Sequence, residues 1–235
     1  MTGVDDFSRL ELDLRGCQRN YRYFRSRLEP RTKLLVLVKA NAYGHGAVQC
    51  GKYLEANGAD MFAVATFWEA LELRENGIKL PILVLGYTDP VHAAEISALD
   101  FEQTIVDEAH AVAMNRAAKE AGVTVKVHVG IDTGMSRIGI FAQANHRDAV
   151  DAVERICNMS NLDVTGMYTH FAAADDPAQY EFTSFQYRNY SIVFNGLAER
   201  GIRIPNCHVS NSAAILSSPV HFDSIREGII LYGLY

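Results

Sequence analysis

Eight short runs rich in aliphatic and β-branched residues recur from residue 34 onward, separated by segments with helical punctuation, and no other feature narrows the fold so far. The runs are 34–39 (LLVLVK), 61–66 (MFAVAT), 82–86 (ILVLG), 102–106 (EQTIV), 124–132 (TVKVHVGID), 164–170 (VTGMYTH), 206–210 (NCHVS) and 224–230 (SIREGII). Between them, Gly58, Gly77, Gly122 and Gly201 stand where helix C-terminal caps belong, and Asp107 where an N-cap belongs. Asp176 followed by Pro177 opens the longest helix, expected over 178–200. Eight strand–helix pairs in about 200 residues is the arithmetic of an α/β protein with a (β/α)8 TIM-type barrel, although a doubly wound open sheet fits the alternation as well.

One unit is left over. Residues 1–33 carry an extra strand, RLELDL (9–14), and a helix over 15–28 that leads into the barrel at 34–235. A ninth strand needs a partner that the barrel does not supply. The chain also stops at the apolar ILYGLY. Both features imply a truncated protein whose C-terminal β domain is absent from this chain.

Composition excludes several function classes. Hydrophobic residues make up 49% and charged residues 21%, so the chain can bury a sizeable core. A net charge of −6 gives no overall electrostatic footprint for nucleic acid, and a small-molecule substrate is expected instead. The four cysteines, Cys17, Cys50, Cys157 and Cys207, are widely spaced, so neither a metal site nor a disulfide framework is expected. No signal sequence is evident at the start, and the chain reads as cytoplasmic.

Alternation along the strands sorts barrel-facing from helix-facing side chains. Val125, Val127, Val129 and Ile131 share one face, which leaves Lys126, His128, Gly130 and Asp132 inward. Leu35 and Leu37 share parity with Lys39, which places the lysine inward at the carboxyl end of its strand. His170, His208 (with Asn206 and Ser210) and Arg226 (with Gly228) gather at the same mouth, where barrel enzymes keep their active sites. Lys39 taken alone is an ordinary strand-end lysine. A lysine desolvated at a barrel mouth, however, has a lowered pKa and can act as a nucleophilic amine that forms a Schiff base. The segments SNSAA (210–214), with Asn211 or Ser212 near a helix N-cap, and REGII (226–230) follow strands seven and eight, the usual phosphate site of this fold. A lysine amine beside a phosphate cradle suggests pyridoxal 5'-phosphate.

These residues carry a resemblance. VLVKANAYGHG (36–46) resembles the cofactor signature of the alanine racemase family, and LELDL, GIDTGMSRIGI, GMYTHFAAAD, HVSNSAA and REGIILYGLY continue it in order over nearly the whole chain. The resemblance implies a barrel followed by a β domain, in a homodimer that builds each active site from two subunits. It implies L-alanine to D-alanine racemisation for peptidoglycan precursor supply. Lys39 would hold the cofactor and act as the base on one face. Tyr43, Ser212, Gly228 and Ile229 would hold the phosphate, with Asn211 flanking Ser212, and Arg226 would face the pyridine nitrogen with His208 behind it. Arg137 would pair with the cofactor phenolate or the substrate carboxylate, and His170 would support the opposing base. That second base is a tyrosine of the absent domain, so this chain alone is expected to be weakly active or inactive. One departure is Gly130, where many family members carry a carbamate-modified lysine that holds the motif's arginine. Serine racemase domains linked to vancomycin resistance are similar in this respect, and those are joined to a membrane domain. That leaves alanine and serine both open as substrates, together with membrane attachment. Two further readings are weighed: the fold-related basic amino-acid decarboxylases, whose phosphate loop is richer in glycine, and the small non-catalytic pyridoxal-phosphate barrels.

Overall fold

The computed structural model describes residues 11–217 and 221–233. Nine strands run in parallel: β1 (Lys33–Leu37), β2 (Met61–Val64), β3 (Ile82–Val84), β4 (Phe101–Ile105), β5 (Val125–Asp132), β6 (Ile140–Phe141), β7 (Leu162–Tyr168), β8 (Asn206–His208) and β9 (Ser224–Glu227). Neighbours pair in the order β4-β3-β2-β1-β9-β8-β7-β5, and a β4–β5 ladder closes the ring. That is an eight-stranded parallel barrel, and the open-sheet alternative is excluded by the closure. The two residues of β6 extend the end of β5 outside the ring, too short a run to show in the sequence.

The helices are α1 (Leu14–Ser26), the short turn α2 (Lys39–Tyr43), α3 (Ala47–Glu55), α4 (Phe67–Glu75), α5 (Ala93–Ala98), α6 (Glu108–Glu120), α7 (His146–Cys157), α8 (Tyr180–Glu199) and α9 (Ser212–Ser217). Their punctuation follows local chemistry. Asp107 accepts from the His110 amide and Asp176 from the Ala178 amide, each satisfying a helix-start donor. The four glycines expected as caps all have left-handed φ values, between 68° and 96°. The long helix begins at Tyr180, after a 3₁₀ turn at Pro177–Gln179.

The expected strand over 9–14 differs from the structure. Residues 9 and 10 lie outside the described residues, residues 11–13 make no ladder, and Leu14 already opens α1. The physical reason is the missing partner: every barrel strand has both edges occupied by its ring neighbours. Helix α1 packs instead against α3 and the 3₁₀ turn Ile229–Tyr232, burying Cys17, Tyr21 and Phe24 from one face. The strand ends also fall earlier than expected, so Lys39 and His170 each lie two residues beyond their strands. All four cysteines are free thiols. Among the described residues no helix is long and apolar enough to cross a membrane.

The alternation assigned from sequence holds. Leu34, Val36, Val38, Val125, Val127, Val129 and Ile131 belong to the core between strands and helices. Leu35, Leu37, Met61, Ala63 and Leu83 form a separate aliphatic cluster inside the barrel, contributed by β1, β2 and β3. The other half of the interior is polar, with Thr104, His128, His208 and Arg226 buried there.

Glu227, one residue beyond Arg226 and so on the opposite face of β9, is fully buried, and among the described residues neither carboxylate oxygen has a hydrogen-bond partner. Burial alone pushes its carboxyl from an ordinary 4.5 up to about 8. The folded state therefore holds a proton that the unfolded chain releases. Stability is fully present below pH 4.5 and is lost as pH rises toward about 8, by up to about 1.4 kcal/mol per pH unit. Thermal melts of wild type and Glu227→Gln across pH 5–9 should diverge progressively, with the variant gaining over wild type as pH rises; parallel curves would contradict the assignment.

Candidate active site

At the carboxyl end of β1 the backbone leaves the sheet through a left-handed turn. Ala40, Asn41, Ala42 and Tyr43 have φ values of 50–54°, a conformation that costs L-residues roughly 1–2 kcal/mol each. Four tethers hold it. The Asn41 side chain accepts from the Ala47 amide (2.8 Å), and the Asn41 carbonyl from the Gly46 amide (2.9 Å). Glu69 accepts from the Ala40 amide, and the Tyr232 hydroxyl donates to the Leu37 carbonyl at 2.9 Å. Such strain concentrates at functional sites. Its consequence is that Lys39 stands half-buried at the mouth. Burial lowers the pKa of the amine, repulsion from Arg137 and Arg226 lowers it further, and Glu69 opposes the shift.

Arg226 projects from β9 into the polar half of the barrel and is almost completely buried. Its Nη1 donates to His208 Nδ1 (2.6 Å) and the His208 carbonyl (3.2 Å). Its Nη2 donates to the carbonyls of Thr169 (2.7 Å) and Val209 (3.0 Å), with His170 Nδ1 at 3.4 Å. Burial brings its pKa down to about 10, still far above neutrality, so the guanidinium keeps its charge. The Tyr168 ring lies 5.2 Å from the guanidinium and stacks on His208.

Behind His208 runs a chain that the sequence analysis did not connect. His208 Nε2 meets His128 Nδ1 at 3.0 Å, His128 Nε2 meets Glu102 Oε2 at 2.7 Å, and the Thr165 hydroxyl donates to the same oxygen at 2.7 Å. Donor counting assigns the protons. Arg226 can only donate, so His208 carries its proton on Nε2 and gives it to His128 Nδ1, and His128 in turn donates from Nε2 to Glu102. Burial raises the Glu102 pKa, but the bonds from His128 and Thr165 outweigh it and hold the group ionised. The His208 pKa is driven well below its ordinary value by burial and then by Arg226, which keeps the ring neutral. Gly166 makes the chain possible, because a β-carbon there would overlap the His128 imidazole.

The remaining expected residues fall around the same mouth. Tyr43 Oη and Ser212 Oγ would lie 3.0 and 3.2 Å from a β-carbon added at Gly228, and the Gly228 amide donates to Ser212 Oγ at 3.2 Å. Two hydroxyls and an amide thus ring a space that only glycine leaves open, a set of donors that fits a phosphate. Burial raises the Tyr43 pKa, so it stays a donor. Ile229 follows, opening the 3₁₀ turn. Asn211 sits beside Ser212, but its side chain is committed to the Ala214 amide and the Phe171 carbonyl. His170 is pushed down to about 3 by burial and by Arg226, Arg137 and Lys39, so it is neutral. Arg137 lies in the loop after β5, shaped by Asp132, whose carboxylate accepts from the Gly134 and Ser136 amides (3.1 and 2.8 Å). It lines a small cavity with Gly130, Tyr168 and His170. Among the described residues its guanidinium has no hydrogen-bond or ion-pair partner. A β-carbon at Gly130 would come no nearer than 3.4 Å to its neighbours, so sterics do not enforce the glycine.

Comparisons with known proteins find relatives over nearly the whole chain. Residues 12–235 match the family model described as alanine racemase, N-terminal domain. The chain is 40% identical over 226 residues to an alanine racemase of Methanococcus maripaludis, covering 96% of this chain and 60% of that protein. An alanine racemase of Desulfovibrio desulfuricans is 41% identical over 225 residues, 95% of this chain and 59% of the relative. Among solved structures, the Clostridium difficile 630 alanine racemase complex with cycloserine superimposes with a TM-score of 0.89 at 39% identity, over 94% of this chain and 60% of that one. A histidine racemase from Leuconostoc mesenteroides subsp. sake does so with a TM-score of 0.84 at 27% identity, over 94% and 58%. The chain thus spans about 60% of the length of the curated relatives it matches.

The proton assignment makes the far end of the histidine chain testable. Glu102→Leu leaves the His128 Nε2–H without its acceptor and the Thr165 hydroxyl with only its longer bond to the Val127 carbonyl (3.3 Å), and should destabilise the chain by about 1–3 kcal/mol in urea unfolding. Glu102→Gln, which keeps an acceptor, should cost less. Equal losses in the two variants would break the assignment.

Proposed function

This chain belongs to the alanine racemase N-terminal domain family, and on that premise we propose that it is the cofactor-binding barrel of a pyridoxal-phosphate-dependent amino-acid racemase that interconverts L- and D-alanine. The observation that carries the reading is one mouth that holds an amine of lowered pKa, two guanidinium groups and a hydroxyl-and-amide cradle. When bound, pyridoxal phosphate supplies an electron sink that acidifies the substrate Cα–H.

Each residue then has a task that its surroundings support. Tyr43, Ser212, Gly228 and Ile229 bind the phosphate, with Asn211 fixing the start of α9 beside them. Lys39, whose low proton affinity makes the free amine accessible, holds the cofactor and moves a proton at Cα on one face. Arg226 would face the pyridine nitrogen. Its carbonyl and histidine acceptors hold it in place as a permanent cation, which would leave that nitrogen unprotonated and temper the sink. Arg137, unpaired among the described residues, receives the substrate carboxylate or the cofactor phenolate. Neutral His170, against Arg226, supports the acceptor on the opposite face.

Inversion calls for a base on each face. We assign the second to the portion of the relatives' length that this chain does not span, brought in by a partner copy in a homodimer. A serine racemase is the second reading, favoured by Gly130 at the position of the family's modified lysine. The histidine racemase on the same barrel is consistent with substrate choice lying outside the shared scaffold.

Two measurements test the proposal. The chain mixed with pyridoxal phosphate should develop a visible absorbance band that Lys39→Ala lacks, and Ser212→Ala should weaken cofactor binding about tenfold. A band that persists in Lys39→Ala would overturn the assignment. Racemisation of alanine by the chain alone should fall about 10²–10⁴-fold short of a full-length relative, the usual contribution of one general base; comparable turnover would refute the assignment of the second base.

A further inference from the structure

Glu69 occupies the third position of α4 and closes a capping box there. Its Oε2 accepts from the Thr66 amide (3.1 Å), and the Thr66 hydroxyl accepts from the Glu69 amide (3.3 Å). In a capping box the glutamate side chain needs to accept from only one backbone amide. Glu69 does more. Oε2 also accepts from the Ala65 amide at 2.7 Å, and Oε1 reaches across to the neighbouring strand's exit to accept from the Ala40 amide at 2.6 Å. That amide belongs to the first residue of the left-handed turn, immediately after Lys39. A carboxylate has lone pairs enough for all three amides, and charge-assisted bonds of this kind are short and strong.

We propose that Glu69 is a positioning residue for Lys39: its carboxylate ties the strained turn after β1 to the end of β2 and so fixes where the amine stands at the barrel mouth. The turn is made of residues that ordinarily avoid its conformation, so something outside it must hold it closed. The Asn41 contacts are internal to the loop, and the Tyr232 bond is made before Lys39. Glu69 supplies the tie from another element at the residue following the lysine. It also stands as the counter-charge to an amine whose other charged neighbours, Arg137 from the loop after β5 and Arg226 from β9, are both cationic. The inference rests on the reading of Lys39 as the working amine and adds the group that aims it.

Glu69→Gln separates this role from plain helix capping. Glutamine completes a capping box as well as glutamate does, through its single carbonyl oxygen, so the α4 cap survives. Its amide group has no second acceptor, so the Ala40 bond is lost, and with it the negative charge beside Lys39. The measurement is made on the chain without cofactor. Amide hydrogen exchange at Ala40 is followed by NMR, and the acylation rate of Lys39 by acetic anhydride is followed against pH by peptide mass spectrometry, with a thermal melt as control. In Glu69→Gln, Ala40 should exchange at least about tenfold faster. The acylation midpoint of Lys39 should move to lower pH, because only cationic neighbours remain. Unchanged exchange and an unchanged midpoint in a variant that melts like wild type would reduce Glu69 to a capping residue. Should the variant fail to fold, the wild type decides alone: an Ala40 amide that exchanges as freely as an open loop amide overturns the tie. Neither readout needs pyridoxal phosphate, so failure to bind it would count against the proposed function and not against this inference.

Discussion

A guanidinium carried into the interior of a parallel barrel must be met by acceptors on almost every side, because an isolated buried charge is too costly to keep. Arg226 sets that requirement, and much of the interior answers it. Three backbone carbonyls, from Thr169, His208 and Val209, turn toward it at the ends of β7 and β8. His208 has to present an unprotonated nitrogen, which obliges His128 to accept and Glu102 to stay ionised on the far side. Gly166 has to be glycine for the imidazole to fit. The two ends of the chain carry opposite charge, so the positive end at the mouth has its counter-ion inside the same protein layer.

The other half of the barrel is built on the opposite principle. Leu35, Leu37, Met61, Ala63 and Leu83 fill it with aliphatic side chains. Lys39 stands at the seam, above the aliphatic cluster and within the field of Arg226 and Arg137. Both halves act on it in the same direction, one by removing water and the other by repulsion. This is how a residue type that is ordinarily a solvated cation comes to hold its proton less tightly without any unusual covalent chemistry. The left-handed turn that follows it is the local cost, offset by tethers from α4 and from the 3₁₀ turn near the chain's end.

Arg137 contrasts with Arg226. One donates to acceptors through both terminal nitrogens; the other, among the described residues, has no hydrogen-bond or ion-pair partner and lines a small cavity beside Gly130. The difference separates an arginine built into the polar half of the barrel from one whose guanidinium is uncommitted among the described residues. Asp132 supports the second arginine indirectly, by folding the loop through backbone amides and leaving the guanidinium itself open.

Much of this was legible in the amino-acid order. Strand count, the two-residue alternation, the capping glycines and aspartates and the convergence of Lys39, His208 and Arg226 all follow from local rules, because each depends on neighbours a few residues away or on a fixed period. The strand expected at 9–14 forms no ladder among the described residues for a physical reason: pairing is a property of two segments, and one segment's pattern cannot reveal whether a partner is present. Strand ends were set too late for a similar reason, since the left-handed turn at Lys39 is imposed by contacts from Glu69 and Tyr232, 30 and 193 residues away in sequence. The His208–His128–Glu102 chain, the buried carboxyl of Glu227 and the hydroxyl cradle of Tyr43, Ser212 and Gly228 were likewise decided only when the ring closed. Sequence by itself determined which residues face inward and which chemistry they carry. Tertiary structure decided which of them touch, and therefore which are charged, because proton affinity depends on burial and on partners that only the closed barrel brings together.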